Sequence, residues 1–354
     1  MPPSSTSATK IEVTCGGAVD QGKVHGFTIT QDLGQPDMCE LTLNNDGNTF
    51  SNDKNPGDAV EVKANDQTIF KGEVVGVDAF YKAGGESKCI IRCYNKMHRL
   101  LRGKQTKTWV DKTDQDIVKA IVSSAGAGLT ADCGSSPTIT HKHMFQHNQP
   151  NLEFIRLRAH CLGYEVWCWD TTLYFKAIDL NEAPVATLEL NNPDQANRLK
   201  SFAGRLSTAQ MAKQVIVRGW DPEKKEKIEK TASVESSRLG SGNSDAAASS
   251  FGETKVYTVD RPIYDPAEAE AIAKARMGEL VMSFMTGEGE CVGNPLLRAG
   301  KIAKLVVNKA KTDDRFNGNW VINGLTHRYS HSKDGNTGGF NTAVRVQRDM
   351  QKGQ

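Results

Sequence analysis

Two segments of the chain, 57–94 and 300–346, repeat the same order of turns and strands. Each begins at a glycine turn, runs through two strands and a second glycine-bearing turn, and closes with an alternating strand. Shared order, spacing and turn chemistry make a duplicated β-barrel the simplest interpretation. A chance likeness between two hairpins is the alternative, because turn glycines are common. The matching stretches are Pro56–Val62 with Arg298–Leu305, Phe70–Val77 with Phe316–Leu325, Gly84-Gly85 with Gly335–Gly339, and Cys89–Tyr94 with Phe340–Val346.

The regions around this repeat predict the fold class. From Lys10 to about Leu101, and again from about Leu188, short runs of alternating apolar and polar residues predict barrels or sandwiches. Between them the apolar period lengthens to that of helices. We therefore predict an α+β fold in which two related β-barrel domains bracket a small α/β domain. The predicted domains are 1–104, 105–180 and 181–354, the last with an inserted long helix.

Two helices are predicted inside the α/β unit. Thr113 with Asp116 resembles a capping pair, and Gly126 ends the apolar spacing that follows. The second helix follows Pro150 and stops at Gly163, a residue that favours a left-handed helix end. A hairpin around 170–172 comes next. The predicted stripes are Ile117, Ala120, Ile121 and Ser124 in the first helix, and Leu152, Ile155, Ala159 and Leu162 in the second, with Arg156 and His160 off the stripe.

A third helix is predicted within the second β-rich half. Asp265 is its N-cap, Pro266 occupies the first helical position, Glu268 completes a capping box, and Gly287 follows the helix. The stripe that includes Met277 and Phe284 is interpreted as core packing. The Ser-, Ala- and Gly-rich stretch 231–254 predicts a long exposed loop.

Composition limits the function classes. Charged residues make up 24% of the 354, and the net charge is +2, which argues against a dedicated nucleic-acid or polybasic membrane protein. The start, Met1–Ser7, lacks the basic and apolar parts of a secretory signal, and Leu280–Met285 is too short to span a bilayer. The eight cysteines form no Cys-x-x-Cys pair, so we expect reduced, buried thiols in a protein made in a cytosol-like compartment.

Motifs for chemistry are sparse, and no catalytic, cofactor-binding or metal-binding residue is predicted. The sequence has no Gly-x-Ser-x-Gly, His-Glu-x-x-His or P-loop motif. His141, His143 and His147 form the densest histidine cluster, and on a strand the first two share a face. Zinc sites need four ligands and only Cys133 stands nearby, so polar surface is the favoured interpretation. The pair Glu288 and Glu290 is interpreted as solvated charge.

Five segments in order make the chain resemble the phage late control gene D protein family, which forms tail hubs and the first part of the VgrG spike proteins of type VI secretion. The match extends over roughly residues 10–350, and its most specific part is the segment that begins Val217-Arg218-Gly219-Trp220. The segments are Asp111–Val118, Asn151–Leu157 with Gly163-Tyr164, Val217–Lys225, Gly293–Gly300 and Phe316–Ile322.

The resemblance implies a structural role in a contractile injection machine. It implies a homotrimer whose tube-like barrels form a pseudo-hexameric ring, because three copies of a duplicated chain present six barrels. Its expected partners are the inner tube protein and a spike protein, with other baseplate and tape-measure proteins beside them and nucleic acid only as passing cargo. The chain ends at Gln354, after the second barrel, so we expect the spike to be a separate polypeptide. The expected location is the tail baseplate of a virion or injection particle, assembled in the cytoplasm.

Two other functions predict different features. A baseplate-associated cell-wall hydrolase is the main alternative, and no motif favours it. A carbohydrate-binding β protein would need an exposed aromatic platform, for which Trp167 and Trp169 are candidates. Their place in a hairpin behind a helix favours packing instead.

Trp220 gives a sharp expectation about burial. It lies in a Gly-Trp-Asp-Pro turn after a predicted strand, and we expect its ring to be mostly buried, with Asp221 holding the turn backbone. The alternative is an exposed tryptophan at a partner surface, where aromatic residues are enriched.

Overall fold

The protein is described from a computed structural model, over residues 9–83, 86–234, 237–239, 254–258, 262–331 and 339–349. The helices in these ranges are α1 (Thr49–Asp53), α2 (Asp114–Ser124), α3 (Asn151–Leu162) and α4 (Pro266–Met282). The strands are β1 (Ile11–Cys15), β2 (Ala18–Val19), β3 (Val24–Asp32), β4 (Met38–Asn44), β5 (Ala59–Ala64), β6 (Gln67–Phe80), β7 (Lys88–Tyr94), β8 (Gln105–Thr113), β9 (Thr130–Cys133), β10 (Thr140–Gln149), β11 (Glu165–Trp169), β12 (Thr172–Lys176), β13 (Ala186–Leu190), β14 (Arg198–Leu206), β15 (Gln214–Asp221), β16 (Glu226–Ser233), β17 (Lys255–Thr258), β18 (Met285–Val292), β19 (Ile302–Val306), β20 (Gly318–Ser330) and β21 (Gly339–Arg348).

A 13-stranded sheet contains seven strands of the first β-rich half and six of the second, and six strands of each half follow one order. The order is β3-β4-β7-β6-β5-β1 in the first half and β14-β18-β21-β20-β19-β13 in the second. The second half closes into a barrel because β13 pairs with both β14 and β19. In the first half β1 continues to β2, and no described residue pairs β1 with β3. The predicted α+β fold with two related, duplicated β-barrel units is confirmed.

The repeat extends to single hydrogen bonds at the glycine turns. Gly57 donates its N–H to the Val74 carbonyl at 2.8 Å, and Gly300 donates to the Ile322 carbonyl at 2.8 Å. Val74 and Ile322 each donate back, at 2.9 Å, to the carbonyl of the residue after the glycine. Both glycines have positive φ, +99° and +82°, a region that side chains with a Cβ rarely adopt. The same turn chemistry therefore leads into β5 and into its counterpart β19.

The α/β unit lies between the barrels in sequence and gains elements from the second half. Helices α2 and α3 share an apolar core with the sheet β11-β12-β9 and with β8. Helix α4 packs on the sheet β16-β15-β17 and contacts α3. Helix α4 and the strands β15 and β16 thus lie against the α/β unit, whereas Met211, which precedes β15, is buried in the core of the second barrel. The domain division at residues 104 and 180 stays a prediction.

The predicted helix starts at Thr113 and Asp265 and the stop at Gly163 are confirmed, whereas Gly287, predicted to end the third helix, lies within β18. Thr113 and Asp116 make a reciprocal capping box at α2. Gly163 closes α3 with φ +67°, and Asp265 accepts hydrogen bonds from the N–H groups of the first turn of α4. Helix α4 ends at Met282, so the apolar stripe stops before Phe284, which is buried in the second barrel.

Some sequence predictions fall on residues outside the described ranges. These are the turns at Gly84-Gly85 and within 335–338, and most of the predicted loop 231–254, whose first three residues belong instead to the end of β16. Seven of the eight cysteines are buried and Cys133 is half-buried, which confirms the expected burial. No helix in the described part of the chain has the length and apolar character that crossing a bilayer requires.

Trp220 is 52% exposed, so the prediction of a buried ring is wrong. The reason is the two-residue period of β15. Val215 and Val217 face the core shared with α4, whereas Trp220 lies on the opposite face with the exposed Arg218. The predicted role of Asp221 is confirmed, because its carboxylate accepts two turn N–H groups at 3.0 Å each.

We expect Trp220→Ala to change the free energy of unfolding by no more than about 0.5 kcal/mol, because an exposed side chain leaves no cavity. The matched control is Trp320→Ala, which removes a fully buried ring and is expected to cost about 3–5 kcal/mol. Urea denaturation of both variants measures the difference. A large loss for Trp220→Ala would show that its ring is packed.

The duplicated turns give a second expectation. Gly57→Ala and Gly300→Ala should each lower the free energy of unfolding by about 1–3 kcal/mol, because both positions hold φ in the positive region. Gly300→Ala should cost more, since its Cβ would lie 3.3 Å from Ile178. Gly278→Ala is the control, with ordinary φ and no heavy atom within 4 Å of the added Cβ, and thermal unfolding should show it unchanged or stabilised.

Candidate functional site

The histidine cluster does not come together as a site. His141 is buried with its Nε2 2.9 Å from Asp114 Oδ2, whereas His143 and His147 on the same strand are exposed. Cys133 is half-buried on β9, with its thiol 3.9 Å from the Gln115 carbonyl. Within the described ranges no group of three or more His, Cys, Asp or Glu side chains is arranged to hold a metal ion.

His141 instead belongs to a buried charge cluster that the sequence did not reveal. Arg158 on α3 is 1% exposed and donates from Nε to Asp114 Oδ1 at 2.5 Å and from Nη2 to Oδ2 at 3.1 Å. Glu268 on α4 lies 3.5 Å from the same guanidinium. Burial by itself would raise the pKa of Asp114, but hydrogen bonds from His141 and Arg158 outweigh burial and lower it. The cluster joins α2, α3 and α4, and its charged groups are paired with one another.

Asp114→Asn should lower the free energy of unfolding by about 3–5 kcal/mol, because it removes the nearer charge partner of the buried Arg158 and leaves only Glu268, at 3.5 Å. Asp111→Asn is the control, since that carboxylate is 61% exposed and its ion pair should contribute at most about 1 kcal/mol. The lowered pKa means that Asp114 stabilises the fold above pH 3.8, its ordinary value, and ceases to do so as the pH falls through its folded-state pKa. Denaturation across this range should show the gap between wild type and Asp114→Asn narrowing; a constant gap would contradict the assignment.

The carboxylate groups weighed for hydrolysis are engaged or solvated. Glu288 and Glu290 are exposed on β18, and Glu290 lies 3.6 Å from the ammonium of Lys200. A cleft of about 510 Å³ on the first barrel includes His98, whose Nε2 is 2.7 Å from Glu73 Oε1. Burial would raise the pKa of Glu73, but hydrogen bonds from Arg99 and His98 lower it. Glu73 is therefore held as a paired carboxylate, a poor general acid.

The two tryptophans considered as a sugar platform are used in packing contacts. Trp167 stacks on Tyr174 with ring centroids 4.9 Å apart. Trp169 lies under the guanidinium of Arg298, at 3.4 Å from the ring centroid. Arg298 also donates to the Thr68 carbonyl at 2.9 Å. This arginine of the second half thus contacts both the α/β unit and the first barrel.

The most extensive contact between the halves is a strand pairing. β3 of the first barrel pairs antiparallel with β20 of the second over seven residue pairs, from Gly324 opposite Asp32 to Ser330 opposite Gly26. Gly26 permits the close approach, because a Cβ there would lie 2.5 Å from the Tyr329 carbonyl oxygen. The Phe27 and Tyr329 rings stack across the junction at 5.4 Å. The two barrels are therefore fixed side by side in a defined register.

Sequence reasoning missed this barrel junction, although it recognised the repeat that builds it. Strand pairing between distant segments leaves no local pattern, since β3 and β20 each read as ordinary alternating strands. One available signal was length, because β20 spans 13 residues and β6, its counterpart, spans 14. A strand of this length can pair with one partner strand along the first half of an edge and with a second partner strand along the other half.

Solved structures with a similar fold include three with close to full coverage of this chain. The tail protein from Neisseria meningitidis has a TM-score of 0.71 at 13% identity, over 97% of each chain. The 43 kDa tail protein of prophage MuSo2 from Shewanella oneidensis has a TM-score of 0.69 at 13% identity, over 98% of this chain and 100% of that one. A type VI secretion component from Escherichia coli, described as similar to the T4 tail proteins gp27 and gp5, has a TM-score of 0.60 at 12% identity, over 97% and 77%. The chain therefore has the fold of these tail proteins.

No curated protein matches the sequence. One family model does match, over residues 5–331, and it is described as the Alg8 N-terminal domain. This model is a different one from the late control gene D family that the motifs resemble. Since the match spans most of the chain, the protein belongs to the Alg8 N-terminal domain family.

Proposed function

We propose that this protein is a structural hub in the tail baseplate of a contractile injection machine, such as a phage tail, a tailocin or an extracellular injection system. In this role three copies form a pseudo-hexameric ring that adapts a six-fold inner tube to a three-fold spike. The observation that carries the proposal is the side-by-side pairing of two barrels with the same strand order. A chain that already holds two like units in lateral contact contains a third of such a ring.

The shared fold supports the same role. The similar structures include proteins described as phage tail proteins and as a type VI secretion component. The five motifs that resemble the late control gene D family point to the hub position among tail proteins. We therefore propose that the chain acts between the inner tube and the spike, within the virion or injection particle.

The absence of a marked reaction site among the described residues leaves the hydrolase alternative without a supporting observation. The candidate carboxylates Glu288 and Glu290 are exposed, and Glu290 is paired with Lys200. We propose that the protein has no enzymatic activity of its own. A peptidoglycan-release assay on the purified full chain tests this statement, and release above that of a heat-denatured sample would contradict it.

The copy number in the assembled particle tests the hub proposal. Imaging of purified particles should show three copies of this chain around the tail axis, beneath a tube ring of six subunits that serves as an internal standard. Three copies are expected because each chain supplies two of the six barrel positions. Six copies of the chain, or one copy, would contradict the proposal.

A further inference from the structure

Two strand edges lack a partner within the described part of the chain. β6 pairs with β5 only as far as Glu73, and the next residue, Val74, is hydrogen-bonded to the turn that precedes β5. The residues from Gly76 to Phe80 therefore pair with β7 alone. β14 pairs with β13 only at Arg198 and Leu199, and beyond them it pairs with β18 alone. Unpaired edges expose backbone N–H and C=O groups that can add a further strand.

These two edges are the counterparts of the two that join the barrels inside the chain. β6 corresponds to β20 and β14 to β3 in the shared strand order. The correspondence is fixed residue by residue through β-bulges, which occur between Val74 and Gly76 in β6 and between Ile322 and Gly324 in β20. Gly76 therefore corresponds to Gly324.

The other pair of strands carries a matching bulge. In β3 it lies between Val24 and Gly26, and in β14 between Leu199 and Ser201. Gly26 therefore corresponds to Ser201. The residue pairing between β3 and β20 therefore predicts which residues of the free β14 and β6 edges would lie opposite each other.

We infer that the free edge of β6 in one copy pairs antiparallel with the free edge of β14 in the next copy, an inference that rests on the proposed ring. Within the chain Thr326 lies opposite Thr30. Thr326 is two residues after Gly324 and Thr30 four after Gly26, so their counterparts are Asp78 and Arg205. An acidic side chain thus faces a basic one across the contact.

The aromatic residues of the internal junction are repeated at the free edges. Phe27 and Tyr329 stack across the internal pairing. Their counterparts are Phe202, one residue after Ser201, and Tyr81, five residues after Gly76. Tyr81 is 59% exposed, as is its neighbour Phe80, and both rank among the most exposed large apolar side chains of the described residues. The pairing would cover Tyr81 as the stack covers Tyr329, whereas Phe80, the counterpart of the exposed Arg328, lies on the opposite face.

The charges fit the same register. Arg205 is exposed and has no ion-pair partner among the described residues, and Asp78 is half-exposed beside Arg92, at 2.8 Å. An incoming Arg205 would meet a carboxylate with one side still open to solvent. Since the edge of one copy meets a different edge of the next, the contact is head-to-tail, and it closes into a ring when each barrel turns by a sixth of a circle.

Cysteine cross-linking tests this register on the full chain. Asp78→Cys with Arg205→Cys places two thiols at directly opposite positions, where Cα atoms lie about 4.5–5.5 Å apart, within disulfide range. Mild oxidation should convert most of the chain into covalent trimers, with nothing larger. The control pair, Asp78→Cys with Lys200→Cys, uses the same strand five residues away, about 17 Å along it, and should stay unlinked. Each single variant controls for the native thiols.

The outcomes separate this inference from the proposed function. Native mass measurement, and copy counting in the particle, report the trimer independently of the cross-link. Trimers that do not cross-link at Asp78→Cys and Arg205→Cys would overturn the pairing and leave the hub proposal standing. A ladder of cross-linked species beyond three copies would support the pairing and overturn the closed ring. Because oxidation traps transient contacts, a concentrated sample that stays monomeric and unlinked would also overturn the pairing.

Discussion

The backbone N–H and C=O groups at strand edges need hydrogen-bond partners, and the rest of the structure depends on how this demand is met. β3 meets that demand by pairing with β4 in its own barrel and with β20 in the other. This second pairing turns two separate barrels into one continuous sheet and fixes their spacing and register. The ion pair between Asp32 and Arg345 and the stacked rings of Phe27 and Tyr329 add side-chain contacts to a geometry that the backbone has already set.

The duplicated halves have diverged where their surroundings differ. The second barrel closes through β13, which runs parallel to β14 and β19, whereas β1 in the equivalent position runs antiparallel to β5. In the first barrel β1 pairs with β2, and the position of β3 that corresponds to Leu199 of β14 is Val24. The pairing with β20 begins beyond it, at Gly26.

The α/β unit supports this arrangement from the side. Arg298 lies over the Trp169 ring and reaches the Thr68 carbonyl, so one side chain contacts all three parts of the molecule. Asp114 and Arg158 serve a similar purpose inside the unit, where a buried ion pair orients three helices. A buried pair of this kind adds little net stability but penalises other packings, because either charge alone would be costly to bury.

The sequence by itself determined the elements and their repetition. Capping residues such as Thr113 and Asp265 and the stop at Gly163 act within one or two turns of chain, so their effect can be read locally. The duplicated glycine turns could be predicted from the sequence for the same reason. Only the tertiary structure decided that Trp220 faces solvent, that Arg158 pairs with Asp114, and which strand edges meet. These outcomes depend on contacts between residues far apart in the chain, and such contacts leave no periodic signal in either partner's sequence.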